Sequence, residues 1–131
     1  METWDRYAIH LLEPALELLE ATPQVAIPLD AAHQAVAFRT DDGRLLQVDV
    51  LGRGAVTGLH LEVAARPGHR RATLQDRFTA FETSLRAFVE QVRTGRPAVE
   101  PTRTVDVLRA LIAGHRALED QRPVLLSEVA T

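Results

Sequence analysis

Apolar residues recur at helical spacing over the first twenty positions of the chain. From Trp4 to Leu19 they stand three or four positions apart, which places them on one continuous face of a helix. Pro14 stands inside this pattern and removes the amide that would bond the carbonyl of His10. We therefore expect an amphipathic helix that is bent or restarted near Glu13–Pro14, or one whose second segment carries Pro14 in its first turn.

The hydrophobic period changes to two in the middle of the chain. The prolines of ATPQVAIP end the first helix, and AVAFRT and LLQVDVL then flank DDGR, which predicts a hairpin. Two further strands are predicted in TGLHLEVAA and RRATLQ, around the turn RPGHR. Together they predict a four-stranded antiparallel meander with one apolar face. Its other face carries the polar residues Gln47, Asp49, His60, Glu62 and Thr73.

The helical period returns in the last part of the chain. Asp76 is the predicted N-cap of a second helix and Gly95 its C-terminal glycine. The apolar stripe of this helix consists of Phe78, Phe81, Leu85, Phe88, Val89 and Val92. A third helix is expected from about Thr102 to Asp120, followed by a short strand in RPVLL. The third helix is expected to bury Val105, Leu108, Leu111, Ile112 and Leu118.

The order of these elements predicts an α+β fold in a single domain over residues 1–131. We expect an open-faced, mainly antiparallel sheet with helices packed on one face. The other sheet face is too mixed for a core, yet it carries the apolar residues Leu45, Leu51 and Ala64. We therefore expect that face to be the interface of a homodimer.

Composition narrows the classes of function. The net charge is -3 and the acidic residues alternate with arginine, so no basic stripe predicts nucleic-acid binding. The absence of cysteine excludes disulfides and thiolate chemistry, and because all 15 basic residues are arginine, lysine Schiff bases are excluded as well. The start resembles no signal peptide and no apolar run approaches about 18 residues. A soluble cytoplasmic protein without a membrane partner is expected.

His10 is the first candidate for chemistry. On a helical wheel it falls opposite the apolar stripe, on the side of Arg6, Glu13 and Glu17. A histidine that titrates near neutral pH beside carboxylates can act as a general acid or base. The alternative is a solvated helix face with ion pairs between successive turns.

His60 and Glu62 form a second candidate, because alternate residues of a strand project from the same face. This pair could bind a polar ligand, or it could be an ordinary polar sheet or interface pair. Two residues do not make a metal site, and the other histidines lack ligand spacing, so no metal is expected. The glycine-rich GRGAVTG opens no predicted helix, and we interpret it as a turn or bulge.

Two stretches resemble the C-terminal domain of the glucose-fructose oxidoreductase / inositol dehydrogenase / MocA (Gfo/Idh/MocA) family. WDRYAIHLLEPALELL is similar to the segment that opens that domain. FETSLRAFVEQVRTGRPAVEPTRTVDVLRALIAGHRALEDQRPVLL is similar to its end, where a helix ending in Gly-x-Pro is followed by a long helix and a last strand. The resemblance covers nearly all of the chain. It implies an open antiparallel sheet with helices on one face and dimerisation through the other.

The resemblance also aligns His10 with the family's catalytic histidine, which acts as acid/base near the substrate carbinol. Asp5, Tyr7 and Glu13 are its candidate partners in proton transfer. Many members place an acidic residue four positions before the histidine, where this chain has Arg6. We count Arg6, together with the His60–Glu62 pair, among the candidate substrate-binding residues.

Other departures from the family are larger. No GxGxxG follows a predicted strand, and the family's Glu-Lys-Pro motif cannot exist in a chain without lysine. The chain alone is therefore expected to bind no NAD(P) and no other cofactor. We expect a substrate-binding or partner subunit for a small sugar- or polyol-like metabolite, with any nucleotide domain supplied by a separate protein. The alternatives are a cofactor-independent lyase, isomerase or cyclase that uses His10, and a purely structural dimer module.

Overall fold

The computed structural model describes residues 2–51, 58–74 and 77–129. Its backbone packing divides the chain into two compact units, one formed by residues 1–56 and 105–131 and the other by residues 57–104. Within the described ranges, no helix is both long enough and apolar enough to pass through a bilayer. The single domain expected over residues 1–131 stays a prediction.

Helices and strands alternate in blocks along the chain. The helices are α1 (Glu2–Tyr7), α2 (Ile9–Leu19), α3 (Arg77–Thr94) and α4 (Pro101–Asp120). The strands are β1 (Pro23–Asp30), β2 (Ala35–Thr40), β3 (Leu45–Asp49), β4 (Leu59–Ala65), β5 (Gly68–Leu74) and β6 (Val124–Leu125). A short 3-10 helix at Leu126–Glu128 follows β6.

A four-stranded sheet in the order β3-β2-β1-β6 forms the base of the first unit, and all its neighbouring strands are antiparallel. Side chains from α1, α2 and α4 join one face of this sheet in a single buried cluster. The expected α+β fold, with helices on one face of a mainly antiparallel sheet, is therefore confirmed. The strands contribute Ala26, Val36, Phe38, Val48 and Val124 to the cluster. The helices and the residue between α1 and α2 contribute Trp4, Ala8, Leu12, Leu16, Ala110, Ala113, Ala117 and Leu118.

The opposite face of this sheet, here called the open sheet face, mixes apolar and polar side chains. The strand register places Val25, Ile27, Ala35, Ala37, Arg39, Leu45, Gln47, Asp49 and Leu125 on it. Ala35 and Ala37 are buried at its centre, whereas Leu45 and Leu125 are exposed. A dimer interface on this face stays a prediction.

β1 is a central strand that the sequence pattern did not predict. Pro23 is its first residue, and Pro28 lies next to one of two register irregularities in its pairing with β2. Proline is tolerated at a strand start or beside a bulge, where no regular ladder bond from its nitrogen is needed. The two prolines therefore end the preceding helix, as expected, without preventing a strand.

The predicted four-stranded meander was wrong in its pairing. β2 and β3 form the expected hairpin, but β1 occupies the other side of β2, and β4 pairs with β5 in a separate two-stranded sheet. Gln47 and Asp49 therefore share a sheet with neither His60 nor Glu62. Ala64, expected beside Leu45, likewise belongs to the β4–β5 hairpin. The strand on the other side of β2 is β1, with β6 beyond it, and local patterning does not reveal this pairing.

The first helical region is interrupted at Ala8, not near Pro14. α1 ends at Tyr7, and α2 runs without a break from Ile9 to Leu19 with Pro14 inside it. The expected restart at Glu13–Pro14 was wrong, and Pro14 does not stand in a first turn. Proline removes one main-chain hydrogen bond, and burial of Leu12, Ala15 and Leu16 on either side of it holds the helix.

The buried face of α4 also differs from the prediction. Leu118 is buried as expected, but Leu108 and Ile112 are exposed, and the buried residues are mostly small. They are Ala110, Ala113, Gly114, Ala117 and Leu118. Small side chains let the α4 backbone approach the large Trp4 ring, and Leu108 and Ile112 lie outside this contact face.

α3 ends as the sequence predicts, whereas its N-cap Asp76 lies outside the described residues. Gly95 adopts a positive φ of 68° and its amide bonds the carbonyl of Gln91 at 2.8 Å, the arrangement of a helix-ending glycine. The six apolar residues of the helix, here called the α3 stripe, are all exposed. They are Phe78, Phe81, Leu85, Phe88, Val89 and Val92.

The turn between β2 and β3 closes the hairpin that DDGR predicts. Its hydrogen bonds also make the stability of the fold depend on pH. Gly43 has a φ of 82°, and Asp42 accepts hydrogen bonds from the Thr40 hydroxyl at 2.6 Å and from Arg44 Nε at 2.6 Å. The Arg44 side chain, and then the Thr40 hydroxyl, hold the pKa of Asp42 well below its ordinary value. A carboxyl with a lowered folded-state pKa stabilises the fold above its unfolded pKa of about 3.9, and this contribution is lost as the pH falls.

We therefore expect Asp42→Asn to lower the urea midpoint at neutral pH and to lower it less and less as the pH falls below about 4. Urea unfolding of both proteins between neutral and strongly acidic pH measures the difference between their midpoints. The pKa values of Asp30 and Glu128 are also lowered, but these carboxyls are present in both proteins and cancel in the difference. A difference between the midpoints that stays constant over the whole pH range would contradict the prediction.

Candidate functional site

The polar side of the first two helices places His10 in solvent. His10 and Glu13 are exposed on α2, and Arg6 is exposed on α1, as the helical wheel predicts. Tyr7, the last residue of α1, is 37% exposed. Among the described residues, no hydrogen bond or ion pair engages the His10 ring. The imidazole is therefore available to a ligand.

Pro14 adds a main-chain acceptor at the same place. In a continuous helix the carbonyl of residue 10 accepts from the amide of residue 14, and proline has none. A main-chain carbonyl that lacks its helical donor bonds water or another donor. His10 therefore offers an exposed imidazole and a carbonyl without its regular helical donor, and Glu13 and Glu17 supply carboxylates on the same exposed side.

Trp4 fastens α1 to α4 and so fixes the neighbouring polar residues. Its side chain is fully buried, its Nε1 donates to the carbonyl of Leu111 at 3.0 Å, and its ring stacks near Phe38. The ring lies so close to Gly114 that a Cβ there would stand 2.3 Å from Cζ2 of Trp4. Glycine at position 114 is therefore what lets the indole lie against α4.

This packing joins Asp5 to His115, the residues that follow Trp4 and Gly114 in the sequence. Asp5 Oδ1 lies 2.7 Å from His115 Nδ1, and Glu119 Oε2 lies 3.6 Å from His115 Nε2. The His115 side chain is about one third exposed (31%). When Nδ1 donates to Asp5, the carboxylate orients the ring and leaves the Nε2 lone pair for a proton. The pair can therefore act as an oriented base.

His115 is the residue that sequence reasoning missed. Asp5 was expected as a partner of His10, and the structure gives it His115, which is 110 positions away. A signal was present, since Gly114 interrupts an otherwise regular helical pattern, and a glycine inside a helix indicates close packing. The sequence pattern does not reveal that the side chain packed against Gly114 is Trp4.

His60 and Glu62 lie on one face of the β4–β5 hairpin, as predicted, but each has its own partner. His60 Nδ1 shares a hydrogen bond with the Thr73 hydroxyl at 3.0 Å, directly across the hairpin. Glu62 Oε1 lies 2.5 Å from His69 Nε2. Both residues belong to the second unit, whereas His10 and Asp5 belong to the first. Their role in binding a substrate stays a prediction.

The expectation that the chain alone binds no NAD(P) stays a prediction. All strand pairs in the described ranges are antiparallel, so no parallel β-α-β unit there directs a helix N-terminus at a pyrophosphate. GRGAVTG falls almost entirely on residues 52–57, outside the described ranges. In the part of the chain that is described, no three histidine or acidic side chains are grouped so as to hold a metal ion.

Comparison of the chain with protein-family models, with curated proteins and with solved structures finds no match. The resemblance to the Gfo/Idh/MocA family and the roles that it implies therefore stay predictions.

Proposed function

We propose that the chain binds a small sugar- or polyol-like metabolite through the polar side of α1 and α2, as an oxidoreductase-like C-terminal domain. The observation that carries the proposal is the position of His10. Its ring is exposed beside Glu13 on one face of α2, and Pro14 removes the regular helical donor to its carbonyl. A polyol presents several hydroxyls, which donate to the carbonyl and carboxylates and accept from the imidazole. Any nucleotide domain comes from a separate protein.

Replacing His10 tests this proposal. We expect His10→Ala to weaken binding of myo-inositol or D-glucose at least about tenfold, the effect of losing ~1.4 kcal/mol of hydrogen bonding. Ligand-observed NMR with each sugar gives the affinities. The matched control is His33→Ala, because His33 is also an exposed histidine but lies in the β1–β2 turn, where its ring bonds Asp30. Absence of binding to both sugars, or equal loss in the two variants, would refute the proposal.

The partner subunit is tested separately. Mixing the chain with a candidate nucleotide-domain protein should produce a complex that oxidises the sugar in the presence of NAD(P). Size-exclusion chromatography and nucleotide absorbance follow assembly and turnover. If His10 is the acid/base, His10→Ala abolishes turnover and leaves assembly intact. A complex that forms but remains inactive with the unmodified chain would count against the oxidoreductase role.

The Asp5–His115 pair favours a second candidate function, a cofactor-independent isomerase or lyase. The 2.7 Å contact between Asp5 Oδ1 and His115 Nδ1 orients the imidazole. An imidazole held in this way can remove a proton from a substrate carbon next to a carbonyl group. In that case the chain alone catalyses deuterium uptake from D2O into D-fructose, followed by proton NMR. His115→Gln and Asp5→Asn would abolish the uptake. Loss in His10→Ala alone would assign the reaction to His10 instead.

A further inference from the structure

The α3 stripe is a large apolar surface on a helix that its own described neighbours leave uncovered. Its six side chains are between 48% and 77% exposed, and three of them are phenylalanines. Scattered apolar residues are common at protein surfaces, but a contiguous row of this size marks an interface. The second unit itself therefore does not bury the stripe, and the residues that cover it come from outside that unit.

The spacing of the stripe specifies what kind of surface covers it. Phe78, Phe81, Leu85, Phe88 and Val92 stand alternately three and four positions apart, which is the a and d spacing of a coiled coil. Val89, the sixth member of the stripe, takes the neighbouring e position. A seam with this spacing fits a second helix that carries the same spacing.

The borders of the stripe permit the second helix to be identical. Glu82, on one border, pairs with Arg86 at 2.8 Å, so its charge is compensated within the helix. The other border carries the uncharged Ser84 and Gln91. Two copies can therefore approach along the stripe without like-charge repulsion.

The area is sufficient for a dimer. Given roughly 150–250 Å² for each aromatic side chain and about 100 Å² for each aliphatic one, the exposed fractions amount to about 500–600 Å² per copy. Two copies bury roughly 1,100 Å², which exceeds the limit of about 1,000 Å² for a specific interface. We propose that α3 pairs with α3 of a second copy of this chain along the α3 stripe.

Sedimentation equilibrium across micromolar concentrations tests the proposal. The unmodified chain should dimerise, and Phe88→Glu should raise the dissociation constant at least about thirtyfold. Thr83→Glu is the matched control, because it adds the same charge on the opposite face of α3 and should change the constant less than about threefold. Leu45→Glu, on the open sheet face, should also leave it unchanged. A monomeric unmodified chain, or a dimer that only Leu45→Glu dissociates, overturns the proposal.

A second measurement does not depend on a disruptive variant. The chain has no cysteine, so Thr83→Cys accepts a single spin label per copy. Two paired helices, each about 10–12 Å across, place labels on their outer faces about 20–30 Å apart. Pulsed electron resonance on the dimer should show this distance as one narrow peak. A dimer without a peak in this range overturns the proposal.

Discussion

Gly114→Ala is expected to destabilise the protein by about 1–3 kcal/mol, although alanine favours helix. The new Cβ would lie 2.3 Å from Cζ2 of Trp4, and neither the buried indole nor the α4 backbone has space to withdraw. Overpacking of this kind costs about 1–3 kcal/mol, while glycine-to-alanine in a helix gains at most ~1 kcal/mol. Urea unfolding at neutral pH measures the net change.

In the control background, the same substitution is expected to change the stability in the opposite direction. In a Trp4→Ala background the clash is absent, so Gly114→Ala should stabilise the protein by up to ~1 kcal/mol through helix propensity alone. The difference between the two backgrounds is the coupling energy between ring and glycine. Equal effects in both backgrounds would show that the close approach of Trp4 to α4 is not what requires glycine at this position.

Trp4→Ala is expected to produce the largest loss of stability, about 3–5 kcal/mol. Trp4 is fully buried, and its removal leaves a large cavity and loses the hydrogen bond from its Nε1 to the Leu111 carbonyl. Because ordinary domains have only about 5–15 kcal/mol of stability, this loss is a large fraction of the free energy of unfolding. Thermal and urea unfolding, followed by circular dichroism, give the magnitude.

This substitution also tests how the Asp5–His115 pair is held. If Trp4 positions α1 on α4, its loss should separate the two side chains, and the NMR signal of a hydrogen-bonded His115 Nδ1 proton should disappear. Trp4→Phe is the conservative control, since it keeps most of the ring and should keep the pair. A hydrogen-bonded His115 proton that persists in folded Trp4→Ala would assign the pairing to other contacts.

The elements that could be predicted from sequence are those whose cause is local. DDGR forms a turn because its glycine accepts a positive φ, and Gly95 ends α3 for the same reason. The polar side of α2 could be predicted because helical spacing alone places His10 opposite Leu12 and Leu16. In each case the deciding interaction lies within a few residues of the pattern.

The errors concern contacts between remote segments. β1 carries two prolines and was not predicted as a strand, yet it lies between β2 and β6 because Ala26 is buried between Phe38 and Val124. The buried face of α4 was misplaced because it depends on Trp4, which is about 110 positions away. Spacing along one helix does not reveal the size of the side chain that it meets.

The sequence by itself determined the α+β class, the hairpin turns, the exposure of His10 and the heptad spacing of the α3 stripe. These properties follow from backbone geometry and periodicity, which act over one or two turns or a single strand. Only the tertiary structure decided which strands are neighbours, that Asp5 meets His115, and that Gly114 lies against Trp4. Those contacts depend on the shapes of surfaces from opposite ends of the chain, and such complementarity exists only when the surfaces are packed together.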